Sequence, residues 1–403
     1  MDLTNAGAFS GANLENARDH NRRVTIETLR VHGPLSRADV ARITGLSVQT
    51  TSNIAEELIG ASLLLEKPVS SLRGKPPKIL SINPDGAYSI GLQLDHNWLI
   101  GVLLDLAGVR RGEIMVPVDS PNPQSGLAAL EEAARQLVAD AHVQFEQICG
   151  VSVVMPGPFE VDSLASDGPT ILPGWADVAV ADRLAERLNL PVSVENDATA
   201  AAMGEHYFGV ARRHRNVVVI FVGTGLGGGI LINGQPYRGA FRNAGEIGHL
   251  TVYPDGRRCY CGNQGCAETY LSVHAAYEHL GYEKTPPTYD ELLHRLHTGE
   301  RQFDTWMDKA AAVLRLLVVN LENMFDPETV VVNGFMPYPV LAELERRALP
   351  LPPSISSRQR RETPRVILGA AGLEVAALGA AVLPLFYSFG HLTPVSAAMP
   401  LKT

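Results

Sequence analysis

The sequence predicts an α/β body behind a small helix-turn-helix head, and three observations carry the prediction. From Ser89 onward, apolar strand-like runs alternate with amphipathic helical segments, the pattern of an α/β architecture. Ahead of that, residues 23–58 divide into three short helical segments with a glycine turn between the second and third. Charge divides at the same place. Residues 1–85 carry ten Lys/Arg against nine Asp/Glu, so the chain's net charge of −9 lies wholly in the remainder. A near-neutral head on an acidic body suggests two parts with different partners.

The head opens with a helix over Arg23–His32. Val24, Ile26, Leu29 and Val31 are its apolar positions, and Gly33-Pro34 stops it. Ser36 caps the next helix, with Asp39 three residues on, close to a capping box; Val40, Ala41 and Ile43 form its inner face. Gly45 supplies the turn, because a positive φ costs glycine little. Leu46 and Ile54 plug the core between helices, and Ser47 caps a third helix that runs to about Leu58. Leu63–Lys67 and Lys78–Ile82 are then two short strands around a Gly/Pro-bearing tip that holds Arg73 and Lys75.

In the body, Ser89–Leu94 and Leu99–Leu106 form a first hairpin. Ser125–Phe145 is an amphipathic helix, Ile148–Val154 a buried strand, Val180–Leu188 a helix, Pro191–Val194 a strand and Ala198–Tyr207 a helix. A second hairpin, Asn216–Val222 with Gly229–Ile232, precedes a long helix over Phe303–Phe325 and a strand at Thr329–Val332. The two hairpins, each followed by strands and helices, hint at two similar lobes. The apolar stretch Val366–Phe386 contains Glu374, several glycines and Pro384. A membrane span needs about 20 residues nearly free of charge, so this stretch reads as a buried helix. The first residues lack the apolar centre of a secretory signal, and a cytoplasmic protein is expected. The residues after Gly390 read as loose.

The 403 residues, 45% hydrophobic and 19% charged, exclude wholesale disorder and a coiled-coil rod. Such a chain is long enough for about two to four domains and for a large core without disulfides. Its negative charge gives no global attraction to nucleic acid, so any DNA contact must come from a local patch.

The head supplies that patch. Its third helix offers Gln49, Thr50, Ser52 and Asn53 outward, with Gln49 and Asn53 one turn apart. Amide side chains read adenine bidentately in the major groove. The strand tip can reach phosphates or a minor groove, and Arg37, Arg42, Arg22 and Arg23 can add phosphate contacts. The candidate DNA contacts are Arg37, Ser47, Gln49, Thr50, Ser52, Asn53, Arg73 and Lys75.

The body carries a second chemistry. His249, Cys259, Cys261 and Cys266 follow the spacing H-x9-C-x-C-x4-C, and three thiolates with one imidazole suit a closed, structural zinc site. The fourth cysteine, Cys149, lies in an apolar strand and reads as a core thiol. Glu195-Asn196-Asp197 ends a strand at a helix start, where ligands sit in α/β folds. Glu246 precedes His249 by three residues and Glu268 follows Cys266 by two, so a metal there would fix both. Such acids beside an amide suit a polyhydroxylated ligand, since each carboxylate accepts two hydroxyl hydrogen bonds.

From Gly245 through Cys259-Tyr260-Cys261-Gly262 to Cys266-Ala267-Glu268 and Ser272, the chain resembles the family of repressors, open reading frames and sugar kinases (ROK). Met155-Pro156-Gly157-Pro158 and Glu195-Asn196-Asp197-Ala198 match further blocks, and the likeness covers roughly residues 87–386. The head resembles the winged helix of the family's repressor branch. The resemblance implies a winged helix-turn-helix followed by a two-lobed sugar kinase/actin-like (ribonuclease H-like) fold. The expected divisions are 1–84, then 85–197 plus 370–403, then 198–369. It implies that Asn196, Asp197, Glu246, His249 and Glu268 contact sugar hydroxyls, His249 while also binding zinc. Asp197 falls where kinase members keep their base. Those members, however, begin the first hairpin with Asp-x-Gly-Gly-Thr, and here the equivalent is Gln93-Leu94-Asp95-His96-Asn97. Half of the phosphate cradle is lost, so no catalytic residue is assigned. The resemblance thus implies a sugar-responsive transcriptional regulator of carbohydrate genes without kinase activity, repression being the family's commoner habit, with an ATP-dependent sugar kinase bearing a DNA-binding head as the alternative. Its partners would be operator DNA and a sugar or sugar phosphate effector, its assembly a homodimer or homotetramer, and no membrane is involved.

Overall fold

A computed structural model describes residues 14–68, 78–157, 172–175, 177–282, 289–356 and 361–388. The head holds α1 (Leu14–His32), β1 (Leu35–Ser36), α2 (Arg37–Thr44), α3 (Val48–Gly60), β2 (Leu64–Pro68) and β3 (Lys78–Ile82). Its sheet runs β1-β3-β2, antiparallel throughout. Both expected caps form: the Ser36 hydroxyl accepts from the Asp39 N–H and the Ser47 hydroxyl from the Thr50 N–H. Gly45 sits at φ 74°, the left-handed turn the spacing requires. Ile26, Leu29, Val40, Ile54, Leu58 and Leu80 fill the head's core, and Leu46 packs against it.

Three head expectations need correction. The first helix starts at Leu14 rather than Arg23, because polar contacts hold its opening turns: Arg18 pairs with Glu57 at 2.8 Å, and Arg22 pairs with Asp19 and Glu57. Arg22 is therefore buried and tied to two carboxylates. Ile43 and Val31 are exposed, since each short helix buries only one narrow stripe.

The first body sheet comprises β4 (Tyr88–Leu94), β5 (Trp98–Asp105), β6 (Arg110–Pro117), β7 (Ile148–Met155) and β8 (Val192–Asn196), with α4 (Pro123–Asp140) and α5 (Val180–Leu188) between them. Its order is β6-β5-β4-β7-β8, antiparallel on one side of β4 and parallel on the other. Next come α6 (Asp197–Tyr207), β9 (Val217–Val222), β10 (Leu226–Ile232), β11 (Gln235–Pro236), α7 (Val273–Leu280), α8 (Tyr289–Thr298), α9 (Arg301–Phe325), β12 (Thr329–Gly334), α10 (Tyr338–Ala348) and β13 (Val366–Leu368). The second sheet runs β11-β10-β9-β12-β13 with the same alternation of sense. One strand plan thus occurs twice.

The apolar stretch from Val366 is not all helix. It opens as β13, turns at Gly372 with φ 79°, and becomes α11 (Val375–Ser388). This helix packs on β4 and β7 of the first sheet and lies along α6. The approach is so close that a side chain on Gly379 would strike the Ala200 carbonyl, and one on Gly91 the Ala377 carbonyl. Among the described residues, no helix is long and apolar enough to cross a membrane. The amphipathic helix read as ending at Phe145 stops at Asp140, where His142 takes a positive φ of 55° and breaks it.

Candidate functional site: a carboxylate cleft beside a thiolate cluster

The end of β8 and the start of α6 project Asn196 and Asp197 toward the β9–β10 turn and the segment 245–249. These residues, with Glu246, His249 and Glu268, line one small cavity of about 40 Å³. All five residues expected to contact sugar therefore share one cleft. Asn196 also caps α6, its side-chain oxygen accepting from the Ala198 and Thr199 N–H groups, which leaves its NH2 for a ligand. Neighbouring Glu195 is buried and held by Arg238, which keeps that cation out of the lining.

The carboxyls sit in an unusual field. Burial, then the charges of Asp95 and Glu246, push Asp197 up to about 7. Burial and then Glu246 push Glu268 up to about 7, although it accepts from the Leu226 N–H at 2.9 Å. Burial alone raises Glu246. No Lys or Arg lines the cleft among the described residues, and the sequence 158–171 that leaves Gly157 contains none either. Such a site accepts hydroxyl donors and repels anions.

Behind this wall stand His249, Cys259, Cys261 and Cys266, one donor atom from each lying within 4.8 Å of the others. His249 Nδ1 is 3.6 Å from Cys259 Sγ, and the sulfurs of Cys261 and Cys266 are 3.7 Å apart. Bonds of about 2.3 Å to sulfur and about 2.0 Å to nitrogen, in a tetrahedron, demand separations of roughly 3.5–3.8 Å. Burial holds His249 below its ordinary value, so the ring is neutral and has a lone pair to give. The cluster can hold a metal ion. Cys149, the fourth thiol, packs beside the head's core.

One lining residue escaped the sequence reading. Tyr260, between two cysteines, puts its hydroxyl 3.3 Å from His249 Nε2. The signal was available, since a residue between two donors of one metal site cannot lie far from it.

The replaced first hairpin turns at Asp95-His96-Asn97. Gln93 is buried with its side-chain oxygen unpartnered, and Asp95 accepts from the His96 N–H at 2.7 Å. On the head, Ser47, Gln49 and Asn53 are exposed, with Gln49 donating to Asn53 at 2.9 Å; Thr50 and Ser52 are half-buried on the same helix. Arg37 is tied to Glu56 at 3.1 Å and Glu66 at 2.8 Å, so it would have to exchange partners to meet a phosphate. Arg73 and Lys75 lie outside the described residues. Lys78, at the base of the same tip, pairs with Glu66 at 2.5 Å.

The chain is 28% identical over 315 residues to the xylose repressor of Bacillus subtilis, covering 78% of this chain and 82% of that protein. It shares 26% identity with the DNA-binding transcriptional dual regulator NagC of Escherichia coli, over 82% and 84% of the two chains. Among solved structures, a ROK family transcriptional regulator homologous to the E. coli MLC protein matches with a TM-score of 0.75 at 21% identity, covering 95% of this chain and all of that one. This likeness supports the fold: a winged head on an actin-like α/β body. The model of the ROK family matches residues 106–384, well over half of the sequence, and the chain belongs to the ROK family.

Proposed function

We propose that this protein is a sugar-responsive transcriptional repressor that binds operator DNA through α3 and its wing, and an effector sugar through the carboxylate cleft. The observation that carries the reading is the meeting of Asn196, Asp197, Glu246, His249 and Glu268 around one cavity, in a chain that also bears a helix-turn-helix. The xylose repressor and NagC relatives support the same reading. The cluster behind the cleft would hold zinc through His249 Nδ1 and the three thiolates. Zinc there supplies no reaction. Held there, it would fix the segments that carry Glu246 and Glu268.

The effector is an unphosphorylated sugar, because a phosphate dianion would meet three carboxyls and, among the described lining residues, no Lys or Arg. The protein is not a kinase. Phosphoryl transfer works by positioning and charge neutralisation, and Asp95 stands where a phosphate-binding backbone is needed. Coupling to the head runs along α6. Asp197 opens this helix in the cleft, and Tyr207 ends it about 16 Å away (eleven residues at 1.5 Å each) under the Arg30 guanidinium of α1, 4.2 Å above its ring. A shift of α6 on sugar binding would reach the head directly. The expected divisions at 84/85, 197/198 and 369/370 fit this mechanism, with α6 and the turn before α11 as the seams between lobes. A helix-turn-helix reads few base pairs alone, so two copies would act together on paired half-sites.

Three measurements test the reading. Metal analysis of the purified protein should give one zinc per chain. Isothermal titration should show binding of a neutral monosaccharide and none of its 6-phosphate. A gel shift against the gene's own upstream region should show a specific complex. Absence of that complex would leave a sugar-binding protein without an operator and sink the regulator reading.

A further inference from the structure

We propose that the Tyr260 hydroxyl stands where a sugar hydroxyl would stand in the cleft, and that a bound sugar must displace it. The inference rests on the sugar-site reading and goes beyond it by naming the residue that decides which sugars enter.

Tyr260 lies between two donors of the thiolate cluster, so its backbone is held close to the cleft wall. Its ring meets the His249 imidazole edge-on, with centroids 5.3 Å apart and planes at 82°. Its hydroxyl is 3.3 Å from His249 Nε2 and also hydrogen-bonds the Glu268 carboxylate. An imidazole nitrogen makes one hydrogen bond. With Nδ1 facing the cysteines, Nε2 is all that His249 can offer the cleft, and Tyr260 occupies it. A sugar hydroxyl can bond Nε2 only once the phenol has left. Swinging the phenol aside both opens the cavity and frees two hydrogen-bonding partners.

The exchange is selective. Free hydroxyls at that corner return the hydrogen bonds that His249 and Glu268 lose, so a plain aldose restores what it disrupts. An acetamido group at the same corner is bulkier than a hydroxyl, so it demands a larger displacement of the Tyr260 ring than a plain aldose does.

The test is isothermal titration of the full-length, zinc-loaded protein with xylose, glucose and N-acetylglucosamine, for wild type, Tyr260→Phe and Tyr260→Ser, with zinc content measured for each. Tyr260→Phe keeps the ring and drops the competing hydroxyl. It should bind the wild type's preferred sugar about 3–10-fold more tightly, the worth of one net hydrogen bond. Tyr260→Ser should improve N-acetylglucosamine binding at least tenfold relative to that sugar. Weaker binding by Tyr260→Phe would show the hydroxyl to be a sugar ligand and overturn the displacement. Unchanged affinity in Tyr260→Phe would overturn it as well, and this variant decides the matter even where Tyr260→Ser loses zinc. If no form binds any sugar while retaining zinc and a native circular dichroism spectrum, the sugar-site reading itself has failed.

Discussion

The β4–β5 and β9–β10 hairpins hold equivalent places in two sheets of one plan, yet they meet the interior differently. At β9–β10, three glycines lie against packed atoms. A Cβ on Gly227 would come within 2.8 Å of the Ala198 Cβ, one on Gly228 within 2.9 Å of Ile247, and one on Gly229 would run into the Ala198 carbonyl. The second glycine loop is therefore required by the seating of α6 and the 245–247 segment, with or without a nucleotide. At β4–β5, the turn carries Asp95, whose carboxylate folds back onto its own neighbour, His96. This turn carries no glycine, and its buried Asp95 lies close enough to Asp197 of α6 and Tyr277 of α7 to act on both. The intact glycine loop is thus a packing signature here.

The largest effect should come from the packed hairpin. Gly229→Ala forces a methyl into the α6 backbone and should destabilise the protein by about 3 kcal/mol, read by urea or thermal unfolding. A variant that melts with wild type would show that packing does not explain the glycine.

A smaller effect tests the charge that the first hairpin brings to the cleft. Burial pushes Asp197 up to about 7, well above the ordinary carboxylate range. A raised carboxyl stabilises the fold in acid, and that stability is lost as pH rises through the folded value. Asp197→Asn should therefore gain on wild type between pH 5 and pH 8, by roughly 2 kcal/mol. Parallel pH profiles would remove Asp197 from the buried, acid-crowded setting described.

Smaller again is Asp95→Asn. It keeps the oxygen that accepts from His96 and removes one of the two charges acting on Asp197. Part of the same pH dependence should disappear, within about 1 kcal/mol at pH 8. The smallest expected effect is none: adding a sugar should cause no ATP consumption in a coupled assay, and measurable turnover would restore the second hairpin as a phosphate loop.

Much of the molecule was legible because short-range rules set it. Ser36, Gly45 and Ser47 define the helix-turn-helix through caps and a positive φ, which depend on neighbours only. His249, Cys259, Cys261 and Cys266 advertise themselves by spacing. The apolar runs over Ser89–Leu106 reflect strands buried on both faces. The edge strand β6 was missed because Arg110–Glu113 is exposed and charged, so it carries no apolar period. Helices α7, α8 and α10 were missed because each is short and half polar, and their helicity is secured by packing on α9. In the cleft, the five expected residues met as the family likeness implied. Tyr260 was legible only by its position between two donors of one knuckle and not by its residue type. Arg22 misled for the converse reason: an arginine looks like a phosphate ligand until its burial partners are known.

The central claim is that a sugar in the cleft acts on the head. Fluorescence titration of the wild-type protein with operator DNA, with and without a saturating neutral sugar shown to bind, tests it most directly. The account predicts that the sugar lowers operator affinity by about 5–150-fold, a coupling of roughly 1–3 kcal/mol, and that DNA lowers sugar affinity by the same factor. Identical operator affinity in the presence and absence of a sugar that demonstrably occupies the cleft would contradict it.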